Sequence, residues 1–397
     1  MCAVRAKCEM MRRIFFEEAS MPLPISRRAF AGSLGAAAGV AFLDTPLVSR
    51  VAEAATKRAR PADAVILSSN ENPYGPSPKA LEAAAKAATN RYPDALENAA
   101  VEAIAKHHGV AAEQVLLGCG SSEILQMADE AFSGPGKKVV AAEPTFEAVL
   151  AYAKVVKADG IRVPLTPDFR HDLAKMAAAC DASTGLVYVC NPNNPTATIV
   201  TGDEMAAFAS AVPATAMILV DEAYHHFVED PRYRSSLELI AKRPNVVVAR
   251  TFSKIYGMAG MRLGYAVSSK ETIAAMAPYA SWSNANAGVL AAAAASLADP
   301  DLVPRQKKLL NDTRKWLVSE LTKQGYRTMP SEANFVMIDV GGDVVPFIQA
   351  FRAKKILVGR KFPSLPNWLR VTVGRREEVS AFLAALPEVV PAPLRAA

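Results

Sequence analysis

Residues 246–265 read VVVARTFSKIYGMAGMRLGY, and this stretch decides the fold. It predicts an apolar strand, a Thr-Phe-Ser-Lys segment, a loop that contains glycine, and then Arg262 ahead of a second strand. A lysine at the end of a buried strand is partly desolvated, which lowers its pKa and leaves a neutral amine that can attack an aldehyde. Lys254 is therefore the predicted nucleophile. Because most lysines are solvated surface charges, this prediction depends on the motifs around it.

Short β-branched runs of the same kind alternate with Ala-rich stretches along the chain. The runs that predict strands are 114–118, 138–142, 186–190, 217–220, 246–250 and 264–267. This alternation predicts an α/β fold with a buried, mostly parallel sheet. Several runs end in polar or charged residues, and open α/β sheets bind their ligands beyond the strand ends. After Lys270, long helices and the runs 333–340, 356–360 and 368–373 predict a smaller α+β domain.

The composition is typical of a globular enzyme. The chain has 397 residues, of which 51% are hydrophobic, and this length is sufficient for two domains. The net charge is +6, but Lys and Arg are scattered among Asp and Glu, so we expect no nucleic-acid partner. Cys119, Cys180 and Cys190 form no close pair, and we interpret them as small core residues. The sequence predicts no metal site.

The first 55 residues resemble a twin-arginine export signal. Ser-Arg-Arg-Ala-Phe at residues 26–30 precedes an apolar run over 31–43, and Ala52-Glu53-Ala54 has the small residues of a cleavage site. The apolar run is too short for a stable membrane span, which needs about 20 residues. We therefore expect residues 1–55 to be cleaved and the protein to be periplasmic, or cytoplasmic if the leader is not functional.

Three polar residues near Lys254 have the chemistry of a phosphate site. Thr251 and Ser253 supply two hydroxyl donors, and the guanidinium of Arg262 matches the geometry of phosphate oxygens. A second segment, Gly-Cys-Gly-Ser-Ser-Glu at residues 118–123, follows one predicted strand and begins a helix. Free backbone N–H groups at a helix N-terminus attract anions, although a turn of this kind is also an ordinary helix cap.

Two further strand ends carry polar residues that suit a pyridine cofactor. The strand AMILVDEAY, at residues 216–224, ends in Asp221, and a carboxylate there can keep a pyridine nitrogen protonated. Asn194 lies in the turn NPNNPT and could donate to the phenolic oxygen of the ring, a role that Tyr224 could share. Taken singly, Asp221 could be a helix cap and Asn194 a turn former. His225 and His226 invite a metal interpretation, but the sequence offers no further ligands for it.

Six ordered motifs resemble the fold-type I aminotransferases of the histidinol-phosphate aminotransferase group. They span roughly residues 62–380 and are NENPYGPS (70–77), RYPD (91–94), NPNNPT (191–196), DEAY (221–224), TFSK with Arg262 eight residues after the lysine (251–262), and WLRVTVG (368–374). The resemblance implies pyridoxal 5'-phosphate (PLP) as the cofactor. It also implies a large domain over 73–275 with a mostly parallel seven-stranded sheet, and a small α+β domain made of 276–390 and the arm 62–72.

The same resemblance assigns roles to individual residues. Lys254 would form the Schiff base, Asp221 would contact the pyridine nitrogen, and Asn194 and Tyr224 would contact the phenolic oxygen. The residues that would hold the phosphate are Ser121, Ser122, Thr251, Ser253, Arg262 and, from the neighbouring subunit of a homodimer, Tyr92. Phe146 would stack on the ring. Arg370 would bind the acidic end of the substrate, together with Arg360 and Tyr74.

Two departures from the family pattern concern the substrate side of the site. Ala197 follows Thr196 where the family usually has glycine, and the stretch from Arg360 to Arg370 is short. The predicted reaction is a ping-pong transfer between an amine or amino-acid donor and a 2-oxo acid such as 2-oxoglutarate. The alternatives are a PLP-dependent decarboxylase that resembles threonine-phosphate decarboxylase, and a non-catalytic PLP-binding module. The sequence leaves open whether the donor is histidinol phosphate or an aromatic or other amino acid.

Overall fold

The computed structural model describes residues 63–390. The predicted export signal at residues 1–55 lies outside this range, so the expected periplasmic location stays a prediction. Among the described residues, none of the helices combines the length and the apolar composition that a bilayer crossing requires.

A seven-stranded sheet forms the centre of the described chain. Its strands are Val115–Gly118 (β2), Lys138–Glu143 (β3), Asp159–Pro164 (β4), Thr184–Cys190 (β5), Met217–Asp221 (β6), Val246–Thr251 (β7) and Gly264–Val267 (β8). Their order is β2-β8-β7-β6-β5-β3-β4. Strand β8 is antiparallel to both of its neighbours, and the other pairings are parallel. The predicted seven-stranded, mostly parallel sheet is thus confirmed.

Helices cover both faces of this sheet. The helices of the described residues, of which α10 and α11 pack with the two small sheets described below, are Pro78–Lys86 (α1), Asp94–His108 (α2), Ser121–Phe132 (α3), Ala148–Val155 (α4), Leu173–Ala178 (α5), Gly202–Ala211 (α6), Lys270–Met276 (α7), Ala287–Leu297 (α8), Leu302–Lys323 (α9), Val344–Ala353 (α10) and Arg376–Val389 (α11). Alternate residues of a strand enter opposite cores: Val187 packs with α6 and α8, whereas Leu186 packs with α3 and α4. Because both faces are buried, the strands are continuous apolar runs.

The sequence analysis missed strand β4. Asp159–Pro164 lies at the edge of the sheet, and Val163 is its one buried side chain. An edge strand exposed in this way needs no apolar run, so its composition resembles that of a loop.

The interpretation of the cysteines as small core residues was wrong in part. Cys190 is buried and Cys180 is half-buried, but Cys119 is exposed at the turn between β2 and α3.

Two small sheets lie outside the central one. Phe335–Asp339 (β9) pairs antiparallel with Trp368–Thr372 (β11), and Val65–Ile66 (β1) pairs in parallel with Ile356–Leu357 (β10). Their apolar side chains share one core with α9, α10 and α11. The segment near residue 65 therefore packs with the C-terminal part of the chain. The predicted boundary between residues 275 and 276 stays a prediction.

One buried carboxyl should make the stability of this fold depend on pH. Asp129, in the last turn of α3, is fully buried, and its Oδ2 atom has no hydrogen-bond partner among the described residues. Burial raises the pKa of Asp129 from 3.8 to about 8, so the folded state favours the protonated acid. Between about pH 4 and pH 8 the folded protein holds this proton, whereas the unfolded chain releases it. The free energy of unfolding therefore falls as pH rises through this range.

Asp129→Asn should remove this loss, because its amide occupies the same space without ionising. We expect the melting temperature of the variant to exceed that of the wild type by a margin that grows from pH 5 to pH 8. Thermal unfolding at three pH values measures the margin. Glu130→Gln is the control, because Glu130 is the next acid along the helix and is only partly buried; we expect no such margin for it. An equal margin at pH 5 and pH 8 for Asp129→Asn would contradict the assignment.

Candidate active site

The predicted nucleophile and the predicted carboxylate lie beyond the ends of two adjacent strands. Asp221 is the last residue of β6, and Lys254 follows the end of β7 by three residues. The two strands run in parallel, with Asp221 in register with Ala249. Because parallel strands end at the same edge of a sheet, both side chains reach one site, as the sequence predicts.

Lys254 is held in a partly desolvated position. Its Nζ donates to the backbone carbonyl of Ser69 at 3.4 Å and lies 5.5 Å from the centre of the Tyr224 ring. Burial, assisted by the positive charge of Arg370, lowers the pKa of Lys254 from 10.5 to about 8. A substantial fraction of this amine is therefore neutral near physiological pH and can act as a nucleophile.

Asp221 is 3% exposed, and two donors hold its carboxylate. The backbone N–H of Ala223 donates to Oδ1 at 3.0 Å, and the hydroxyl of Tyr188 donates to Oδ2 at 3.0 Å. Burial raises the pKa of Asp221 to about 6, and these hydrogen bonds limit the rise. The carboxylate is thus mostly ionised at neutral pH. Sequence reasoning missed Tyr188, which lies inside the apolar run of β5 and gives no separate signal.

Hydrogen-bond donors lie close together at the start of helix α3. Several helices have a side-chain cap, such as Ser77 for α1, but α3 begins after Gly120 with none. Gly120 has φ of +79°, and a Cβ there would lie 2.1 Å from Nη2 of Arg262. Only glycine therefore lets the Arg262 guanidinium approach the N–H groups of this helix end. The uncapped helix end and the guanidinium together favour a bound anion.

The hydroxyl groups predicted for the phosphate lie beside this helix end. Thr251 Oγ1 and Ser253 Oγ are 3.0 Å apart, and Arg262 Nη1 is 3.4 Å from Ser253 Oγ. Ser121 and Ser122, the first two residues of α3, are both half-buried at the same edge. Uncapped backbone donors, hydroxyl groups and a guanidinium fit a phosphate group well. The residues predicted for the phosphate from one protomer are thus brought together.

Asn70, which is part of the motif NENPYGPS, connects this region to strand β11 and to Asn334. Its buried Nδ2 donates to the Tyr224 hydroxyl at 3.1 Å, and its Oδ1 accepts from Thr372 Oγ1 at 3.2 Å. Its backbone carbonyl accepts from Asn334 at 3.1 Å. Asn70 has φ of +54°, a left-handed conformation that asparagine tolerates better than most residues. It therefore orients the Tyr224 ring near Lys254.

Arg370 lies on β11 and points toward the same region. Its Nη1 donates to Asn194 Oδ1 at 2.7 Å, and its Nη2 donates to the Ser68 carbonyl at 2.9 Å. The residue is 8% exposed, and burial lowers the pKa of its guanidinium to about 10. The buried Nε has no partner among residues 63–390. Since a buried donor normally has a partner, Nε is suited to an anionic ligand. Because the Asn194 side-chain oxygen accepts this hydrogen bond, the amide nitrogen of Asn194 is left as a donor for another group.

The remaining predicted residues differ in their surroundings. Phe146 is half-buried against the core under α4. Arg360 pairs with Glu147 at 2.6 Å, and the Tyr74 ring faces the guanidinium of Arg375 at 5.4 Å. Tyr92 is 84% exposed, and within the described part of one protomer no contact brings it to the site. Its predicted role requires a second subunit in any case.

The alanine that replaces a family glycine keeps the backbone shape that glycine would give. Ala197 has φ of +62° and is buried, so the left-handed conformation occurs here with a side chain present. Its carbonyl accepts from the backbone N–H of Glu332 at 2.9 Å, which ties this loop to the segment before β9. The left-handed conformation that glycine favours is therefore present at position 197 with an alanine.

His225 and His226 stack on each other, with ring centres 3.7 Å apart. Burial and the nearby Arg250 hold the pKa of both imidazoles well below the usual range. Within residues 63–390, no group of three or more His, Cys, Asp or Glu side chains converges in a way that could hold a metal ion.

Comparison with known proteins connects this geometry to a family. Residues 62–386 match the model of the family described as aminotransferase class I and II. The chain is 39% identical to histidinol-phosphate aminotransferase of Moorella thermoacetica, over 83% of this chain and 86% of that one. It is 40% identical to aromatic amino acid aminotransferase of Rhodococcus jostii, over 81% of this chain and 89% of that one. The fold is similar to the crystal structure of histidinol-phosphate aminotransferase from Sinorhizobium meliloti in complex with pyridoxal-5'-phosphate. That similarity has a TM-score of 0.79 and 28% identity, and it covers 89% of this chain and 98% of that one.

The hydrogen bonds of Asn70 predict a measurable loss of stability. Asn70→Ala removes the partners of Tyr224 and Thr372 and leaves alanine in a left-handed conformation. We expect it to lower the free energy of unfolding by about 2–4 kcal/mol, from unpaired buried groups and backbone strain. Asn70→Gly is the matched control, because it loses the same hydrogen bonds without the strain and should recover about 1 kcal/mol. Urea denaturation of the cofactor-free protein measures both. A glycine variant less stable than the alanine variant would contradict the strained conformation.

Proposed function

The chain belongs to the aminotransferase class I and II family, and on this premise we propose that Lys254 and Asp221 form its catalytic centre. The protein is a PLP-dependent aminotransferase of fold type I, acting on amino and keto acids. The observation that best supports the proposed centre is a pair of groups beyond adjacent strands, a half-buried lysine with lowered pKa and a buried carboxylate that stays mostly ionised. The lysine must be neutral to act as a nucleophile, whereas the carboxylate must stay ionised. The two groups therefore require different environments within one site.

The residues near this centre fit the cofactor. Its phosphate would bind at the uncapped start of α3, where the proposed partners are Ser121, Ser122, Thr251, Ser253 and Arg262. Asp221 would hold the proton of the pyridine nitrogen, while Asn194 and Tyr224 would donate to the phenolic oxygen and Phe146 would cover the ring. When bound, PLP supplies an electron-poor ring that stabilises negative charge at the substrate α-carbon.

Lys254 has two tasks in this proposal. Lys254 would hold the cofactor covalently in the resting enzyme, and its amine, once free, would move a proton at the donor α-carbon. A pKa of about 8 suits both tasks, because the amine must accept and return a proton near neutral pH. The carbonyl of Ser69 and the ring of Tyr224 restrict where the amine can move.

Arg370 supplies the opposite end of the proposed site. Its buried guanidinium, whose Nε is unpartnered among the described residues, would bind the acidic group of the donor and later that of a 2-oxo acid such as 2-oxoglutarate. Arg360 and Tyr74 would border this end. The two half-reactions use one site in turn, so ping-pong kinetics are expected. The relatives at 39% and 40% identity are aminotransferases, which favours transamination over decarboxylation and over a non-catalytic role.

We further propose a homodimer with shared active sites. Two large aromatic side chains support it, because Tyr92 is 84% exposed and Trp282 is 98% exposed. Such side chains are enriched in interfaces and costly to leave in water. Trp282 lies in a loop held to Glu123 of α3 by Ser281 and Asn284, close to the proposed phosphate site. A partner seated on this surface would bring its own Tyr92 to the cofactor phosphate.

The cellular location rests on sequence alone. The Ser-Arg-Arg-Ala-Phe segment, the apolar run and the small residues that follow support twin-arginine export to the periplasm. Since this route carries folded proteins, the enzyme would receive its cofactor in the cytoplasm before export.

Covalent capture of PLP should depend on Lys254 and on pH. Cofactor-free enzyme mixed with PLP and then reduced with borohydride should gain the cofactor mass, and Lys254→Ala should not. The capture rate should rise with pH and level off above about pH 8, because the neutral amine is the reactive form. Intact-mass spectrometry measures both. Lys86→Ala, which changes an exposed lysine, is the control. Persistent capture in Lys254→Ala, or a midpoint near pH 10, would contradict the assignment.

Mixed dimers test the shared site. Tyr92→Ala should weaken PLP binding about tenfold, the loss expected for one charge-assisted hydrogen bond, and Lys254→Ala should abolish transamination. When the two variant chains are co-expressed, one site of each mixed dimer combines an intact Lys254 with an intact Tyr92. At limiting PLP, purified mixed dimers should therefore be more active than either variant alone. No recovery, or a monomer by analytical ultracentrifugation, would contradict the proposal.

A further inference from the structure

Arg360 is fixed by two neighbours. Its Nη2 donates to Oε2 of Glu147 at 2.6 Å, and its guanidinium lies 4.4 Å from the centre of the Phe362 ring. Glu147 directly follows Phe146, the residue proposed to cover the cofactor ring. The positive charge of Arg360 is therefore paired with the carboxylate next to Phe146.

Phe362 also links Arg360 to Arg370. It is 4% exposed, and its ring lies 5.1 Å from the Arg370 guanidinium. It packs in an apolar cluster whose other buried members are Met329, Met337, Leu365 and Trp368. Cation–π contacts of this kind stabilise each guanidinium over the ring. The short loop thus places an aromatic surface between the two arginines.

Two other contacts fix the geometry of this loop. Ser364 Oγ donates to Oε1 of Glu143 at 2.7 Å, at the end of β3. The backbone N–H of Gly359 donates to the carbonyl of Arg370 at 2.8 Å, and a Cβ at Gly359 would lie 2.7 Å from that oxygen. These two contacts tie the loop that carries Arg360 to β3 and to β11.

We infer that the substrate end of this site carries one net positive charge, and that the enzyme selects donors with a single carboxylate at this end over phosphate monoesters. The charge follows from two guanidinium groups, those of Arg370 and Arg360, and from the Glu147 carboxylate that pairs with Arg360. The inference rests on the proposed function and names the class of its amino donor.

The charge of the ligand decides the selection. A carboxylate carries one negative charge, which Arg370 balances, whereas a phosphate monoester carries close to two at neutral pH. Both charges of a phosphate lie on the one group that meets Arg370, unlike the two separate carboxylates of 2-oxoglutarate. The second charge would therefore have to compete with Glu147 for the half-exposed Arg360 or remain uncompensated beside the buried Arg370. Burying an unpaired charge is costly, so the carboxylate ligand binds better.

Two ligands without an amino group separate binding from chemistry. We expect the PLP-loaded wild type to bind 3-phenylpropanoate at least about tenfold more tightly than 2-phenylethyl phosphate, measured by calorimetry at about pH 7.5. Glu147→Gln retains an acceptor for Arg360 but removes the negative charge. It should reduce this preference about tenfold or more, mainly through tighter binding of the phosphate ester. Phenylalanine should likewise exceed histidinol phosphate in kcat/KM with 2-oxoglutarate.

Ser364→Ala is the matched control, because it removes a contact of the same loop without changing charge. We expect its preference to stay within about twofold of the wild type. Tighter binding of the phosphate ester by the wild type, or an unchanged preference in Glu147→Gln, would overturn the inference. An equal shift in Ser364→Ala would also overturn it, by assigning the effect to loop mobility. The predicted binding pattern without any amino transfer would support the charge selection and contradict the proposed function.

Discussion

Removal of water from the ends of β6 and β7 is the constraint on which the rest of the site depends. Burial favours the neutral form of every ionisable group, so it lowers the pKa of Lys254 to about 8 and raises that of Asp221 to about 6. The two shifts leave a reactive amine beside a carboxylate that is still ionised near neutral pH. The backbone N–H of Ala223 and the hydroxyl of Tyr188 keep the carboxylate from losing its charge altogether.

Other charged groups that are buried at this edge of the sheet also have partners. Glu222, next to Asp221, forms a buried ion pair with Arg250 at 2.7 Å and accepts further hydrogen bonds from Ser235 and Ser236. Arg370 is held by Asn194 and by the carbonyl of Ser68. Since an unpaired buried charge costs several kcal/mol, these contacts are conditions for the fold as well as for the site.

The two ends of the site differ in charge. The proposed phosphate end combines an uncapped helix start, hydroxyl groups and the Arg262 guanidinium, which suits a dianion. At the proposed substrate end, Arg360 is paired with Glu147, which would leave the Arg370 guanidinium to balance the charge of a ligand. A ligand with one phosphate and a ligand with one carboxylate would therefore each have a matching end, and this difference would orient both within the site.

The sequence by itself determined the central sheet, the place of Lys254 and Asp221 at strand ends, and the groups of the phosphate site, because these follow from local patterns of apolar runs and turns. It missed β4, whose exposed edge carries no such pattern. Only the tertiary structure decided the contacts of Asn70 with Tyr224, of Tyr188 with Asp221 and of Arg360 with Glu147. Their partners lie 154, 33 and 213 residues apart, so no local pattern encodes them. These long-range pairs form only when folding buries the strand ends and forces each polar group to find a partner.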